Sequence, residues 1–338
     1  ARIVHLIEVM TDTVKTGLRP AKRLLLAVLS AAVAAAALIY AMYARDMRQI
    51  NARIAAQSTT IETRHGTIEF ASWGTGPAVL VVHGAGGGYD QGRLIPQAFA
   101  EGDYRWISVS RFGYLRSSLP KDASTAAQAE AFADLLDALK IDRAAIIAMS
   151  GGVPPSLQFA QRFPERTSAL VLLSSAPFTP LTAGGQELPI PAWLYQVLFS
   201  SDFAFWAIVK LSPASFDPIF DISPQARARI TPADTPFVQG LIDAFLPVTK
   251  RTAGLRNEGA AIDPKAKYEL AKISAPTLVI HAKDDGINPF SFGVYAADHI
   301  PGAAFMPLDT GGHLLLGHSG EVRERVSAFL KAHAARGQ

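Results

Sequence analysis

The stretch Ala148-Met149-Ser150-Gly151-Gly152 follows the apolar run AAIIAM and precedes a segment of helical spacing. Small residues two places before and two places after the serine permit a sharp reversal from strand to helix. Such a turn lifts the serine oxygen above a sheet and aims helix-terminal N–H groups at it. Ser150 is therefore the expected nucleophile, with Ala148 a departure from the usual glycine. A serine hydroxyl is inert at its own pKa; it needs a base, and the base needs an acid to orient it. The run VIHAKDDGINP (279–289) places a carboxylate just past a strand, in a loop closed by proline. Asp285 is the expected acid and Asp284 its rival, while His281 reads as a strand-end residue. His313 in LDTGGH (308–313) is the expected base, because Gly311 and Gly312 allow its loop to approach closely; His318 is the rival.

A fourth stretch, VHGAGGG (82–88), follows another apolar run. The backbone N–H of Ala85, or that of Gly86, would join the N–H of Gly151 to hold the oxyanion of a tetrahedral intermediate. A dinucleotide fingerprint is the competing reading. It fails because glycine would be needed at position 89, where Tyr89 stands. His83 then reads as a residue that shapes the loop.

The elements that must carry these residues follow from periodicity. Residues 61–64 and 67–72 flank His65-Gly66 as a hairpin. AVLVVH (78–83), WISVS (106–110), AAIIAM (144–149), ALVLLS (169–174), PTLVIH (276–281) and the stretch 303–307 read as strands, the continuous apolar ones buried on both faces. Helical spacing appears at 125–139, 154–163 and 321–334. The alternation calls for a mostly parallel sheet with helices on both faces. Residues 176–265 break the rhythm and hold 11 of the 30 aromatics. They are expected to form an inserted helical cap, between core segments 61–175 and 266–338. Its aromatics Trp193, Tyr195, Phe199, Phe203 and Trp206, with Met149 beside the serine, are the expected pocket residues; a small helical cap also needs aromatics for its own core.

The stretch 24–43 (LLLAVLSAAVAAAALIYAMY) carries no charge over 20 residues. A helix of that length spans about 30 Å, the thickness of the bilayer hydrocarbon. A transmembrane helix is the expected reading, following a tail at 1–23 and followed by a polar stretch at 44–60 that reads as a short helical stalk or linker. Eight alanines make it a weak inserter, so a cleaved signal is the alternative. Five Lys/Arg precede it and four follow by residue 64, which favours an extracytoplasmic (periplasmic) main domain. Met10 opens a more natural start than ARIVHLIEV, which would make residues 1–9 an upstream addition. With 49% hydrophobic and 18% charged residues the chain is neither disordered nor fibrous. The net charge of +3 is spread thinly, so no nucleic-acid partner is expected. The absence of cysteine excludes disulfides, thiolate catalysis and Cys-ligated metals.

Taken in order, HGAGG (83–87), SRFGYLRSS (110–118), AMSGG (148–152), RFPERTSALVLLSSAP (162–177), HAKDDGINP (281–289) and GGH (311–313) make residues 61–338 resemble the α/β-hydrolase superfamily, near its peroxidase-like and esterase-like members with an inserted cap. The resemblance implies an eight-stranded, mainly parallel sheet, a Ser-His-acid triad, and no metal or other cofactor. The serine argues against the haloalkane dehalogenase and soluble epoxide hydrolase branches, which use Asp there. Met149 and Leu314 stand where the ring-cleavage hydrolases usually have Asn and Trp. The expected function is serine hydrolysis of a small ester-like, apolar substrate. The same triad would serve lactonase, amidase or perhydrolase chemistry, and a catalytically silent, membrane-anchored binding module is the remaining alternative.

Overall fold

The structure, a computed structural model, describes residues 20–181 and 197–334. The chain divides into two compact units, 1–50 and 51–338. The long helix α1 (Pro20–Ala56) begins in the first and ends in the second. After Pro20 it contains neither proline nor glycine and is rich in alanine, the best helix former, so nothing interrupts it. The polar stretch after residue 43 is thus a continuation of the helix, and Thr59 already opens the first strand. Among the described residues, Lys22–Ala56 is the one helix long and apolar enough to cross a membrane, a test that a signal sequence also passes. Leu24, Leu25, Val33 and Tyr40 are exposed along it.

The second unit is built on an eight-stranded sheet: β1 (Thr59–Thr63), β2 (Gly66–Trp73), β3 (Ala78–Val82), β4 (Arg105–Val109), β5 (Ala144–Met149), β6 (Thr167–Leu173), β7 (Thr277–Ala282) and β8 (Ala304–Leu308). Their spatial order is β1-β2-β4-β3-β5-β6-β7-β8. β2 pairs antiparallel with β1 and β4, and every other neighbouring pair is parallel. Every residue of β3, β5, β6 and β7 is buried, as the unbroken apolar runs require of strands covered on both faces. Helices α2 (Thr125–Ala138) and α3 (Val153–Arg162) pack on each other and join Phe132, Leu135 and Leu157 to Leu80, Ile146 and Leu172 of the sheet in one core. Ser124 starts α2 by accepting the Ala127 N–H.

Between β6 and β7 the chain leaves the sheet and forms a helical insertion that includes α4 (Asp202–Leu211) and α5 (Thr235–Asp243). Rings hold it together. Phe205 lies 4.5 Å from Phe216 and 5.8 Å from Phe245, and Phe245 lies 5.7 Å from Phe199 and 5.3 Å from Phe220. Beyond β7, α6 (Phe290–His299) leads to β8, and α7 (Ser319–His333) closes the described chain.

Candidate active site

β5 ends at Met149, Ser150–Gly152 makes a single 3-10 turn, and α3 begins at Val153. Ser150 sits at φ +52°, a left-handed conformation that a residue with a side chain rarely adopts. Gly152 is compelled by contact: a Cβ there would stand 2.4 Å from Val82 O and 2.7 Å from His83 O. Pro154 and Pro155 fall in the first turn of α3, where helix N–H groups have no partner within the helix. The local sequence thus lifts the Ser150 hydroxyl at the carboxyl end of the parallel strands.

The loop after β7 carries Asp285, whose Oδ1 accepts the N–H groups of Ile287 (2.9 Å) and Asn288 (2.8 Å). His313 Nδ1 lies 3.0 Å from Asp285 Oδ2 and 3.1 Å from Oδ1. The Nδ1–H donates to this carboxylate, which leaves Nε2 as the basic position. His281, expected only to end its strand, places Nε2 3.2 Å from Asp285 Oδ2 and 3.0 Å from Asn288 O. Burial pushes the Asp285 carboxyl up, but His313 and His281 together hold it well below the usual carboxylate range. Burial lowers the His313 imidazole, yet the charge and hydrogen bond of Asp285, aided by the charge of Asp221, raise it above its ordinary value.

The rivals occupy other positions. Asp284 accepts the N–H groups of Gly311 (3.3 Å) and Gly312 (2.8 Å), so it holds the histidine loop by its backbone. His318 pairs with Glu321 and with Thr310 Oγ1. Asn288, which no sequence pattern singled out, donates Nδ2 to Ser174 O at 3.0 Å and stands 3.5 Å from Ser150 Oγ.

On the other side of the serine, Ala85 N lies 3.3 Å from the point where a Gly151 Cβ would be. The Gly86 N–H is engaged by Tyr114 Oη at 3.2 Å, which leaves Ala85 as the loop amide beside Gly151. His83 donates from Nδ1 to Gly84 O (2.6 Å) and accepts the Arg111 N–H at Nε2 (3.0 Å). Burial, then the Arg111 charge, keep it neutral, well below its ordinary pKa. Arg111 donates to His83 O and Gly84 O, both at 3.0 Å, and pairs with Glu258 at 2.6 Å. Arg251 is fully buried, donates to Gly87 O at 2.6 Å and pairs with Asp90 at 2.8 Å. Glu258 and Arg251 belong to the insertion, so charged side chains from it reach the glycine loop. Separations of 147 and 161 residues left both pairs invisible to any local motif.

Ser150, His313, Ala85 and Gly151 line one cavity of about 470 Å³. Met149, Phe199, Phe220, Leu241, Phe245 and Leu314 supply apolar wall. Trp206, expected in the pocket, is not part of this wall. It is buried within the insertion with its ring 5.9 Å from Phe203, because the insertion needs large rings for its own core. Trp193 and Tyr195 lie outside the described residues.

The sequence matches the family described as alpha/beta hydrolase fold over residues 77–214. It is 29% identical over 271 residues to an uncharacterized hydrolase of Bacillus subtilis, covering 76% of this chain and 91% of that one. It is 30% identical over 258 residues to a putative carbamate hydrolase of Klebsiella pneumoniae, covering 72% and 86%. Among solved structures, an alpha/beta hydrolase fold protein from Nakamurella multipartita superposes with a TM-score of 0.70 at 29% identity, covering 81% of this chain and 99% of that one.

Proposed function

The chain belongs to the α/β-hydrolase family and is a hydrolase, and on that premise we propose that it cleaves ester-like bonds of small apolar substrates through an acyl-serine. Ser150 Oγ attacks the carbonyl carbon and its proton passes to His313 Nε2. The carbonyl oxygen becomes an oxyanion facing the N–H groups of Ala85 and Gly151, typically the largest single source of rate enhancement. Asp285 stays ionised and stabilises the imidazolium. His313 then gives its proton to the departing alcohol oxygen. Water attacks the acyl-enzyme with His313 again as base, and the acid and free Ser150 result.

The observation that carries this reading is His313 Nδ1 at 3.0 Å from Asp285, in the same cavity as a serine held at φ +52°. Labelling of the full chain in detergent with a fluorophosphonate probe tests it. Labelling that disappears in Ser150→Ala is expected; a folded wild-type protein that does not label overturns it.

The insertion serves as the cap over the site. Its rings and the neutral Arg111–Glu258 pair favour an uncharged acyl or alcohol group. The helix through 24–43 anchors the protein in a single pass, so lipid-like esters are the favoured substrates. Equal turnover of short- and long-chain esters would overturn that. Arg19, Lys22 and Arg23 precede the apolar stretch, whereas Arg45, Asp46 and Arg48 follow it. This bias favours a catalytic domain on the extracytoplasmic, periplasmic side. Protease added to intact spheroplasts should then digest the domain; protection would reverse the orientation.

A further inference from the structure

Asp221 lies in the insertion at the end of the 3-10 helix Pro213–Phe220, at φ 59° and ψ 31°. A single oxygen of its side chain, Oδ2, accepts the backbone N–H of Gly286 at 2.7 Å and that of His313 at 3.0 Å. Gly286 directly follows Asp285. One atom of the insertion therefore joins the loop of the acid to the loop of the base. The glycines on both loops make room for it. A Cβ on Gly286 would stand 2.4 Å from Asp221 Oδ1, and one on Gly312 would stand 3.0 Å from Oδ2. Asp284 already holds the amides of Gly311 and Gly312. With Asp221 on the next amide, three successive N–H groups of the histidine loop end on carboxylates.

We infer that Asp221 is a positioning residue: the hydrogen bonds accepted by its Oδ2 fix the His313 imidazole against Asp285, so the base is aligned only when the insertion is seated. This rests on the triad reading of Ser150, His313 and Asp285. Neither of those loops contains another carboxylate reaching the His313 N–H. Without the acceptor, the amides of residues 286 and 313 lose their partner and the two loops lose their common tie. A displacement of about 1 Å in a catalytic group costs about 100-fold in rate. The effect falls on kcat, because the apolar wall that binds substrate is untouched.

The test compares Asp221→Gly and Asp221→Asn with wild type, as full chains in detergent. Glycine accepts the left-handed backbone and removes the acceptor. Asparagine tolerates the same backbone and keeps an oxygen able to accept both N–H groups. The readouts are kcat and KM on p-nitrophenyl butyrate and the rate of fluorophosphonate labelling. Asp221→Gly should lower kcat and the labelling rate together by about 10- to 100-fold with KM little changed, and Asp221→Asn should recover most of the loss. Unchanged kcat in Asp221→Gly overturns the inference, and so does an equal loss in both variants, which would assign the effect to charge. Should Asp221→Gly fail to fold, Asp221→Ser, whose hydroxyl is too short to reach both amides, carries the same expectation. Failure of wild type itself to label would instead sink the triad reading on which this rests.

Discussion

His281 Nε2 stands 3.2 Å from Asp285 Oδ2 and 3.0 Å from Asn288 O, with the His281 and Asp285 side chains fully buried. The carboxylate beside His313 Nδ1 thus also faces a second imidazole, from the preceding strand, whose Nε2–H reaches the backbone of the same loop at Asn288. His281 Nδ1 has no hydrogen-bond partner among the described residues, which fits an imidazole that carries its proton on Nε2. His281→Leu removes the imidazole that faces the Asp285 carboxylate and its bond to Asn288 O. It should lower kcat about tenfold, the rate equivalent of about 1.5 kcal/mol, whereas His281→Gln keeps a donor and should lose less. Steady-state kinetics of the two variants decide this; equal kcat in His281→Leu and wild type would count against it.

The pH dependence follows from His313. Its imidazole titrates above the ordinary value of 6.5. In the proposed mechanism His313 must be neutral to take the Ser150 proton, and a raised pKa keeps it protonated to higher pH. The acid limb of kcat/KM should therefore have its midpoint above 6.5 and fall away as pH drops through it. Asp285→Asn removes the charge that raises the imidazole, so the limb should move to lower pH while kcat drops by about a thousandfold or more. A limb that stays in place in Asp285→Asn would show that another group is being titrated.

Gly152→Ala should destabilise the fold as well as the site. The added methyl would meet Val82 O at 2.4 Å, so α3 would have to move away from β3. Overpacking of this kind costs about 1–3 kcal/mol. A lower urea midpoint and slower fluorophosphonate labelling are expected; an unchanged midpoint would mean that the turn has slack.

Arg251 and Asp90 test how the insertion grips the glycine loop. Arg251→Met leaves the Asp90 carboxylate, 7% exposed, without its cation. Breaking a buried pair from one side costs about 3–5 kcal/mol. The double variant Arg251→Met with Asp90→Leu removes both charges and should recover much of that loss in chemical denaturation. Equal stability of the single and double variants would sink the argument.

Leu241 lines the apolar wall from the insertion. Leu241→Trp should narrow the cavity and depress turnover of long-chain p-nitrophenyl esters more than that of short ones. A uniform change across chain lengths would place the acyl group elsewhere.

Much of this arrangement was legible along the chain, because its determinants are local. Unbroken apolar runs mark strands buried on both faces, and AMSGG carries within five residues the small side chains that its turn requires. Alanine-rich sequence without proline or glycine makes one helix through Ala56, and the polar stretch that read as a short helical stalk or linker carries it on. The spacing to the following proline favoured Asp285 over the adjacent Asp284 but gave no contacts for either. Asp284 and Asp285 differ by one step of backbone, and only the folded loop turns the first to the glycine amides and the second to the imidazole. Trp206 illustrates the reverse error: an aromatic in the insertion serves its core or the cavity according to which way the helix is turned.

The sequence by itself therefore determined the strands and the turn that lifts Ser150, and it offered Asp285 and His313 as the candidate acid and base, since each reading rests on side chains within a few positions of one another. Tertiary structure alone decided which amide stands beside Gly151, which second imidazole faces Asp285 and where Asp221, Glu258 and Arg251 reach the site. Those relations join residues that are distant along the chain. Their physical basis is the pairing of buried donors, acceptors and charges, which is settled only when the insertion and the sheet come together.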